Sequence, residues 1–316
     1  MATIRIGTRG SKLARWQAEW VAGELTQRGH TVELRIIATE GDISTASLRE
    51  VGGRGVFSKE IQRALLADQA DLAVHSLKDL PTFPIAGLTL AAVPPRESTD
   101  DCLLSRSGER FEHLPAGATV GTGSARRAAQ LLAWRPDIVI ADIRGNVDSR
   151  IRKMKAGEYD AIILAAAGLS RLELTSEIIQ TLPPQRILPA IGQGALGLEC
   201  RTEDAATRAA VEQLNCAQSF AAVSAERALL LNLLAGCLAP VAAIGKITDN
   251  GQLELSAGVF SVDGRQAVMG QRCGPLQLAV ELGAELADEL KQHGAAELIA
   301  TARGNKPGAA RPGELQ

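Results

Sequence analysis

Up to about residue 190 the chain alternates short apolar runs with segments of helical periodicity, and few folds accept that order. Thr3–Gly7, Val32–Thr39, Asp71–Leu77, Leu88–Val93, Cys102–Ser105, Ile138–Ile143 and Ala161–Ala166 have the length and apolar content of strands. Between them, Ser11–Arg28, Ser58–Ala67, Ser124–Trp134, Val147–Lys155 and a short stretch around Leu169 read as helices. Ser11, Ser58 and Ser124 stand at N-cap positions and Gly29 at a C-cap. Strand and helix in this order imply parallel sheets with helical crossovers, a doubly wound α/β architecture.

Punctuation divides the pattern. Pro94-Pro95-Arg96-Glu97-Ser98 reads as a linker, and a second unit starts near Asp100 and runs to Pro183-Pro184. Ile187–Gly197 is a crossover, and Ala195–Cys200 is a strand able to return to the first sheet. After that the character changes: a strongly apolar helix over Phe220–Leu234, tight-turn signals at Asp249-Asn250-Gly251 and Asp263-Gly264, and an amphipathic helix over Pro275–His293. This is a small α+β unit with an antiparallel sheet. Residues from about Gly304 onward have the composition of a disordered tail. The Gly-rich segment Gly41–Gly55 is read as a lid, with a surface insertion as the alternative.

The stretch Leu72-Ala73-Val74-His75-Ser76-Leu77-Lys78-Asp79-Leu80-Pro81 begins as a strand and ends in ionisable groups stopped by proline. In an open α/β sheet that edge is where ligands sit. Asp79 is the candidate for chemistry, since a carboxylate there can stabilise a cation or move a proton. Three further segments place arginine at the mouth of a strand-to-helix turn: Thr8-Arg9-Gly10-Ser11, Gly121-Thr122-Gly123-Ser124-Ala125-Arg126-Arg127 and Arg144-Gly145-Asn146-Val147-Asp148-Ser149-Arg150. Small residues, a capping side chain and a guanidinium fork together favour an anion. Lys plus Arg is 34 against Asp plus Glu 36, so these turns are local cationic features of a chain with formal net charge −2. That balance speaks against a nucleic-acid partner. The Walker and dinucleotide glycine patterns are absent, which leaves carboxylates open as the anion. Five widely spaced cysteines without a CxxC pair suggest neither a disulfide framework nor a metal site. Cys237, between Gly236 and Pro240, is either an exposed attachment point or a small buried residue. With no bilayer-length apolar run and no signal-like start, a cytoplasmic monomer without a membrane partner is expected.

Nine motifs occur in one order: TRGS, VGGRGVFSKE, AVHSLKDLP, GTGSARR, RGNVDSR, YDAIILAAAGLSRL, LPAIGQGALGLECR, AERALL and AGCLAP. On these, from Arg5 to about Ala302, the chain resembles the porphobilinogen deaminases, also called hydroxymethylbilane synthases. The resemblance implies head-to-tail condensation of four porphobilinogen molecules with loss of ammonia, on a dipyrromethane cofactor held by a thioether, here at Cys237. It implies Asp79 as the catalytic acid; Lys78, Ser124, Arg126, Arg127 and Arg150 with Asp79 around the cofactor; and Arg9, Ser11, Phe57, Lys59, Arg144 and Arg171 around the substrate. It implies two doubly wound domains similar to type II periplasmic binding proteins and a third α+β domain. The expected boundaries are 1–95 with 195–213, then 99–190, then 217–303, with 304–316 as tail. The cysteine loop departs from the family's L-E-G-G-C-Q-V-P, reading Leu233-Leu234-Ala235-Gly236-Cys237-Leu238-Ala239-Pro240. Two other classes compete with this reading. A hinged solute-binding module lacks its signal peptide or helix-turn-helix, and a phosphate-handling transferase would need a metal-binding acidic pair. Asp100-Asp101 is the candidate pair, and it reads as linker.

Overall fold

Three sheets organise the chain in a computed structural model that describes residues 3–38, 58–235 and 239–304. The segment read as a lid, Phe57, Cys237 and the tail from residue 305 lie outside the described residues.

The first part of the chain supplies strand β1 (Thr3–Thr8), helix α1 (Lys12–Gln27), β2 (Thr31–Ile36), α2 (Lys59–Leu66), β3 (Leu72–Ser76) and β4 (Leu88–Ala92). Helix α1 starts where Ser11 accepts a hydrogen bond from the Ala14 amide, and it ends before Gly29 at φ +86°. Its face Ala18, Val21 and Leu25 packs on Ile4, Ile6, Leu72 and Val74 of the sheet. Each fully buried Val or Leu there contributes about 1.5–3 kcal/mol. The expected cap at Ser58 is corrected: its side chain makes no cap bond, and its hydroxyl is buried without a partner.

The second part supplies β5 (Asp101–Ser105), β6 (Thr119–Gly121), α3 (Ala125–Trp134), β7 (Val139–Ala141), α4 (Val147–Lys155), β8 (Ala161–Ala165), α5 (Ala166–Arg171) and β9 (Gln180–Thr181). Ser124 caps α3 through the Arg127 amide, but Asn146 makes no side-chain cap bond at α4. Alternate residues of β5 and β8 enter opposite cores: Leu103, Ala161 and Ile163 on one face, Cys102, Leu104, Ile162 and Leu164 on the other. Burial on both faces is why these strands are apolar without alternation.

The chain then returns as β10 (Leu196–Arg201) and α6 (Ala205–Glu212). The first sheet has order β2-β1-β3-β10-β4 and the second β7-β6-β8-β5-β9. Neither is purely parallel, which corrects the sequence expectation. Strand β10 is antiparallel to β3 and β4, and β5 is antiparallel to β8 and β9. Each of these reversed strands directly follows a crossover between the sheets. Its first residue therefore lies at the C-terminal edge of its antiparallel neighbour: Leu196 opposite Ser76, Asp101 opposite Ala165. Both crossovers thus enter beside the edges that carry the candidate site.

The last part contains α7 (Ala217–Asn232), β11 (Val241–Ile247), β12 (Leu253–Phe260), β13 (Ala267–Gly274), α8 (Ala279–Gln292) and α9 (Ala295–Gly304). The antiparallel sheet β11-β12-β13 packs on α7 and α8 around Leu229, Leu255, Ala257 and Leu286. Helix α9 is an element that the sequence reading did not resolve. At the junction of the three parts Glu226 of α7, fully buried, accepts from Arg96 Nη1 (2.6 Å) and Nη2 (3.1 Å) and from the amides of Gly192 (2.7 Å) and Gly245 (2.8 Å). One carboxylate thereby ties both crossovers to the third part. The crossovers also touch each other at Gly194, whose φ is +83° and whose place a Cβ could not fill, since it would lie 2.3 Å from the Glu97 carbonyl oxygen.

Candidate active site

The candidate residues converge at the C-terminal edges of the two mixed sheets. After β1 come Arg9 and Ser11. After β3 the backbone makes a 3-10 turn over Leu77–Asp79, which presents Lys78 and Asp79 with both side chains reaching solvent. The turn is fixed by the Leu77 amide on the Ala195 carbonyl (3.0 Å) and the Leu80 amide on the Leu77 carbonyl (3.1 Å). From the second sheet come Ser124, Arg126 and Arg127 after β6, and Arg144 and Arg150 after β7.

Arg126 and Arg127 do not project into open solvent. Both are buried on Asp101, the fully buried first residue of β5. Arg126 Nη2 lies 2.7 Å from one oxygen of that carboxylate; Arg127 Nη2 and Nε lie 2.6 and 3.0 Å from the other. Arg126 also donates to the Leu188 carbonyl, and Arg127 to that of Ile163 (3.0 Å). Gln193, in the second crossover, donates to Asp101 at 2.9 Å and to the Thr99 carbonyl at 2.7 Å. Burial would push the Asp101 carboxyl up, but Arg126 and Arg127 outweigh it and hold the group well below the usual carboxylate range. The reading of Asp100-Asp101 as linker is corrected for Asp101, which opens β5. Asp101 is the buried counter-ion of the arginine turn, and because β5 is reversed the residue sits at the ligand edge.

The charges of both sheets act on one another. Desolvation lowers Lys78 to about 8, with Arg127 adding to the effect and Asp79 and Asp101 opposing it. Lys78 reaches solvent, so the desolvation is that of a side chain flanked by protein rather than of a sealed interior. Desolvation likewise lowers Arg150 to about 10, reinforced by Arg127 and Arg144 and opposed by Asp79 and Asp142. Asp79 therefore shares a field with arginines of the second sheet. Five cations, Lys78, Arg126, Arg127, Arg144 and Arg150, face three carboxylates, Asp79, Asp101 and Asp142. Arg126 Nε is in addition buried with no hydrogen-bond acceptor. Such a surplus calls for an anion with several acceptor oxygens.

The remaining candidates frame this group. Arg144 donates Nε to Asp142 (3.1 Å), and Arg150 donates Nε to the Gly145 carbonyl (2.8 Å). Gly123 is small for an internal reason, since a Cβ there would lie 2.8 Å from the Asp142 carboxylate. Lys12 of α1 and Asp148 of α4 form an ion pair of 2.9 Å that links the first and second sheets' helices. Lys59 is exposed at the start of α2. Arg171 lies deeper, buried at the seam between α5 and α1, with Nη2 on the Gly194 carbonyl (2.8 Å) and its guanidinium 5.9 Å from the Trp16 ring centroid. Sequence reasoning missed Asp101 and Gln193. The available signal was the unbroken apolar run after Asp101, which makes that residue the start of a buried strand.

The fold and these residues define a protein of two mixed α/β sheets whose C-terminal edges bring cations and acids together, with an α+β unit packed at their junction. Residues 4–209 match the sequence profile described as "Porphobilinogen deaminase, dipyromethane cofactor binding domain", and residues 220–292 match "Porphobilinogen deaminase, C-terminal domain". The porphobilinogen deaminase of Desulforudis audaxviator is 47% identical over 303 residues, covering 95% of this chain and 98% of its own. That of Brevibacillus brevis is 45% identical over 303 residues, covering 95% and 97%. A solved putative lipoprotein of Actinomyces odontolyticus aligns at TM-score 0.43 and 13% identity, over 67% of this chain and 89% of its own. The chain belongs to the porphobilinogen deaminase family.

Proposed function

We propose that this protein is a hydroxymethylbilane synthase of tetrapyrrole biosynthesis, a transferase that condenses four porphobilinogen molecules head to tail with release of ammonia and then frees the linear product by hydrolysis. The observation that carries the reading is the cationic surplus around one acid, Asp79, at the cleft between the two mixed sheets. Porphobilinogen bears an acetate and a propionate, so a growing oligomer is a polycarboxylate suited to guanidinium forks. Arg9, Ser11, Lys59, Arg144 and Arg171, with Phe57 against a ring, are assigned to the substrate and the growing chain. Lys78, Ser124, Arg126, Arg127, Arg150 and Asp79 are assigned to the cofactor, whose side groups the unpaired Arg126 Nε and the positive excess fit. Cys237 would hold the dipyrromethane through a thioether, and the group would supply the nucleophilic pyrrole α-carbon from which the chain extends.

Asp79 does the proton work. Loss of ammonia from porphobilinogen leaves an azafulvenium-type cation, and a carboxylate facing the pyrrole N–H stabilises it. After the C–C bond forms, the surplus ring proton must leave, and Asp79 is placed to relay it. Lys78 and the arginines hold the acidic side groups so that the reacting carbons meet in a fixed geometry. On this reading the chain works as a cytoplasmic monomer. The test is Asp79→Asn, which keeps the shape and removes the charge. We expect KM within about threefold of wild type and kcat lowered on the order of 10²–10⁴; near-normal turnover refutes the role.

A further inference from the structure

The proposed mechanism fixes Asp79 in one unit and the tethering Cys237 in another, and a half-buried arginine helps to connect them. Helix α7, which ends at Asn232 shortly before Cys237, lays Phe220, Val223 and Arg227 along one face, the spacing of a single helical stripe. Phe220 and Val223 pack with Leu77 and Leu80, the two apolar residues that bracket Lys78 and Asp79. One turn further, Arg227 donates Nη1 to the Leu80 carbonyl (2.9 Å) and Nη2 to the Pro81 carbonyl (2.7 Å). These are the carbonyls at which the chain leaves the acid-bearing turn. Behind the turn, Glu199 of β10 is held by His75 Nε2 (3.0 Å) and by Gln62 Nε2 at 3.1 Å from each oxygen. Glu199 is also the carboxylate whose charge offsets the burial of Arg227.

We propose that Arg227 is a positioning residue that fixes the Lys78–Asp79 turn against the helix leading to Cys237. This rests on the roles assigned above to Asp79 and Cys237. A fork that grips two successive carbonyls sets both the height and the rotation of the turn, which one lysine ammonium could not do. A displacement of about 1 Å at a reacting group can cost on the order of 10²-fold in rate. Apolar contact through Phe220 and Val223 alone would hold the two elements together without fixing that geometry.

The test compares full-length wild type, Arg227→Met, Arg227→Lys and Asp79→Asn, each read by intact mass, by kcat and KM, and by amide hydrogen exchange at Leu80. The expected result for Arg227→Met is the wild-type attached mass, KM within about threefold and kcat reduced by at least about 10-fold. The Leu80 amide, which closes the turn, should exchange at least about 10-fold faster. Arg227→Lys should recover part of kcat; where Arg227→Met does not fold, Arg227→Lys is read by itself, with lowered kcat and unchanged KM expected. Arg227 variants that turn over within about twofold of wild type, with unaltered exchange at Leu80, overturn the inference while Asp79→Asn still stalls. Normal turnover of Asp79→Asn overturns the underlying reading instead.

Discussion

Replacing Asp101 by Asn tests whether the arginine turn is organised by an internal counter-ion. The carboxylate receives four donors: Arg126 Nη2 at 2.7 Å, Arg127 Nη2 at 2.6 Å, Arg127 Nε at 3.0 Å and Gln193 Nε2 at 2.9 Å. An asparagine offers one oxygen, and its amide nitrogen must then point a donor at a guanidinium. Two buried cations lose their compensating charge, the circumstance in which breaking a buried pair costs about 3–5 kcal/mol. At roughly 2–4 °C per kcal/mol for a protein of this size class, the melting temperature should fall by roughly 6–20 °C. The assay is thermal unfolding at pH 7 followed by circular dichroism, with a urea titration as a check. A change of less than about 2 °C would mean that Arg126 and Arg127 are compensated elsewhere, and the account of the turn would be wrong. The acid limb follows the same logic with a definite sign. The Asp101 carboxyl is depressed in the fold, so its contribution is complete above the unfolded value of about 3.9 and is lost as the pH falls from there through the folded value.

Perturbations at Lys78, Gly194 and Gly23 give distinct readouts. Lys78 without cofactor sits near 8, and the cofactor's carboxylates favour its charged form, so loading of the cofactor onto the apoprotein should weaken as the pH climbs through about 8. Lys78→Arg, charged throughout, should flatten that fall, and wild-type loading constant to pH 9 contradicts the assignment. Gly194→Ala should cost more than about 2 kcal/mol in urea unfolding, because φ is +83° and the added methyl meets the Glu97 carbonyl oxygen. Gly23→Ala in α1, where a Cβ meets nothing within 4 Å, should instead gain about 0.5–1 kcal/mol.

Much of the fold was legible because its signals are local. Ser11 and Ser124 mark helix starts through short-range hydrogen bonds, and the apolar runs of β3, β5 and β8 announce strands buried on both faces. Strand direction is not local. Nothing in Asp101–Ser105 or Leu196–Arg201 says that these strands run against their neighbours, yet that reversal brings Asp101 to the ligand edge and Ala195 onto the acid turn. Of the site, the positions of Lys78, Asp79 and Arg144 after strand ends, and of Arg150 in the helix that follows, were legible in the pattern. The burial of Arg126 and Arg127 on Asp101, and of Arg171 at the seam with Trp16, did not, because it depends on partners 25 or more residues away. Ser58 failed as a cap although it has the right chemistry. Its hydroxyl is buried without a partner, a tertiary outcome that overrides local preference.

The account depends on a pyrrole chain anchored to one sulfur and worked on by one acid. Intact-mass measurement of the denatured wild type and of Cys237→Ser addresses this most directly. The prediction is a covalent addition of two linked pyrroles on the wild type and none on the serine variant. A wild type at the bare polypeptide mass yet fully active, or an unchanged addition on Cys237→Ser, would contradict it.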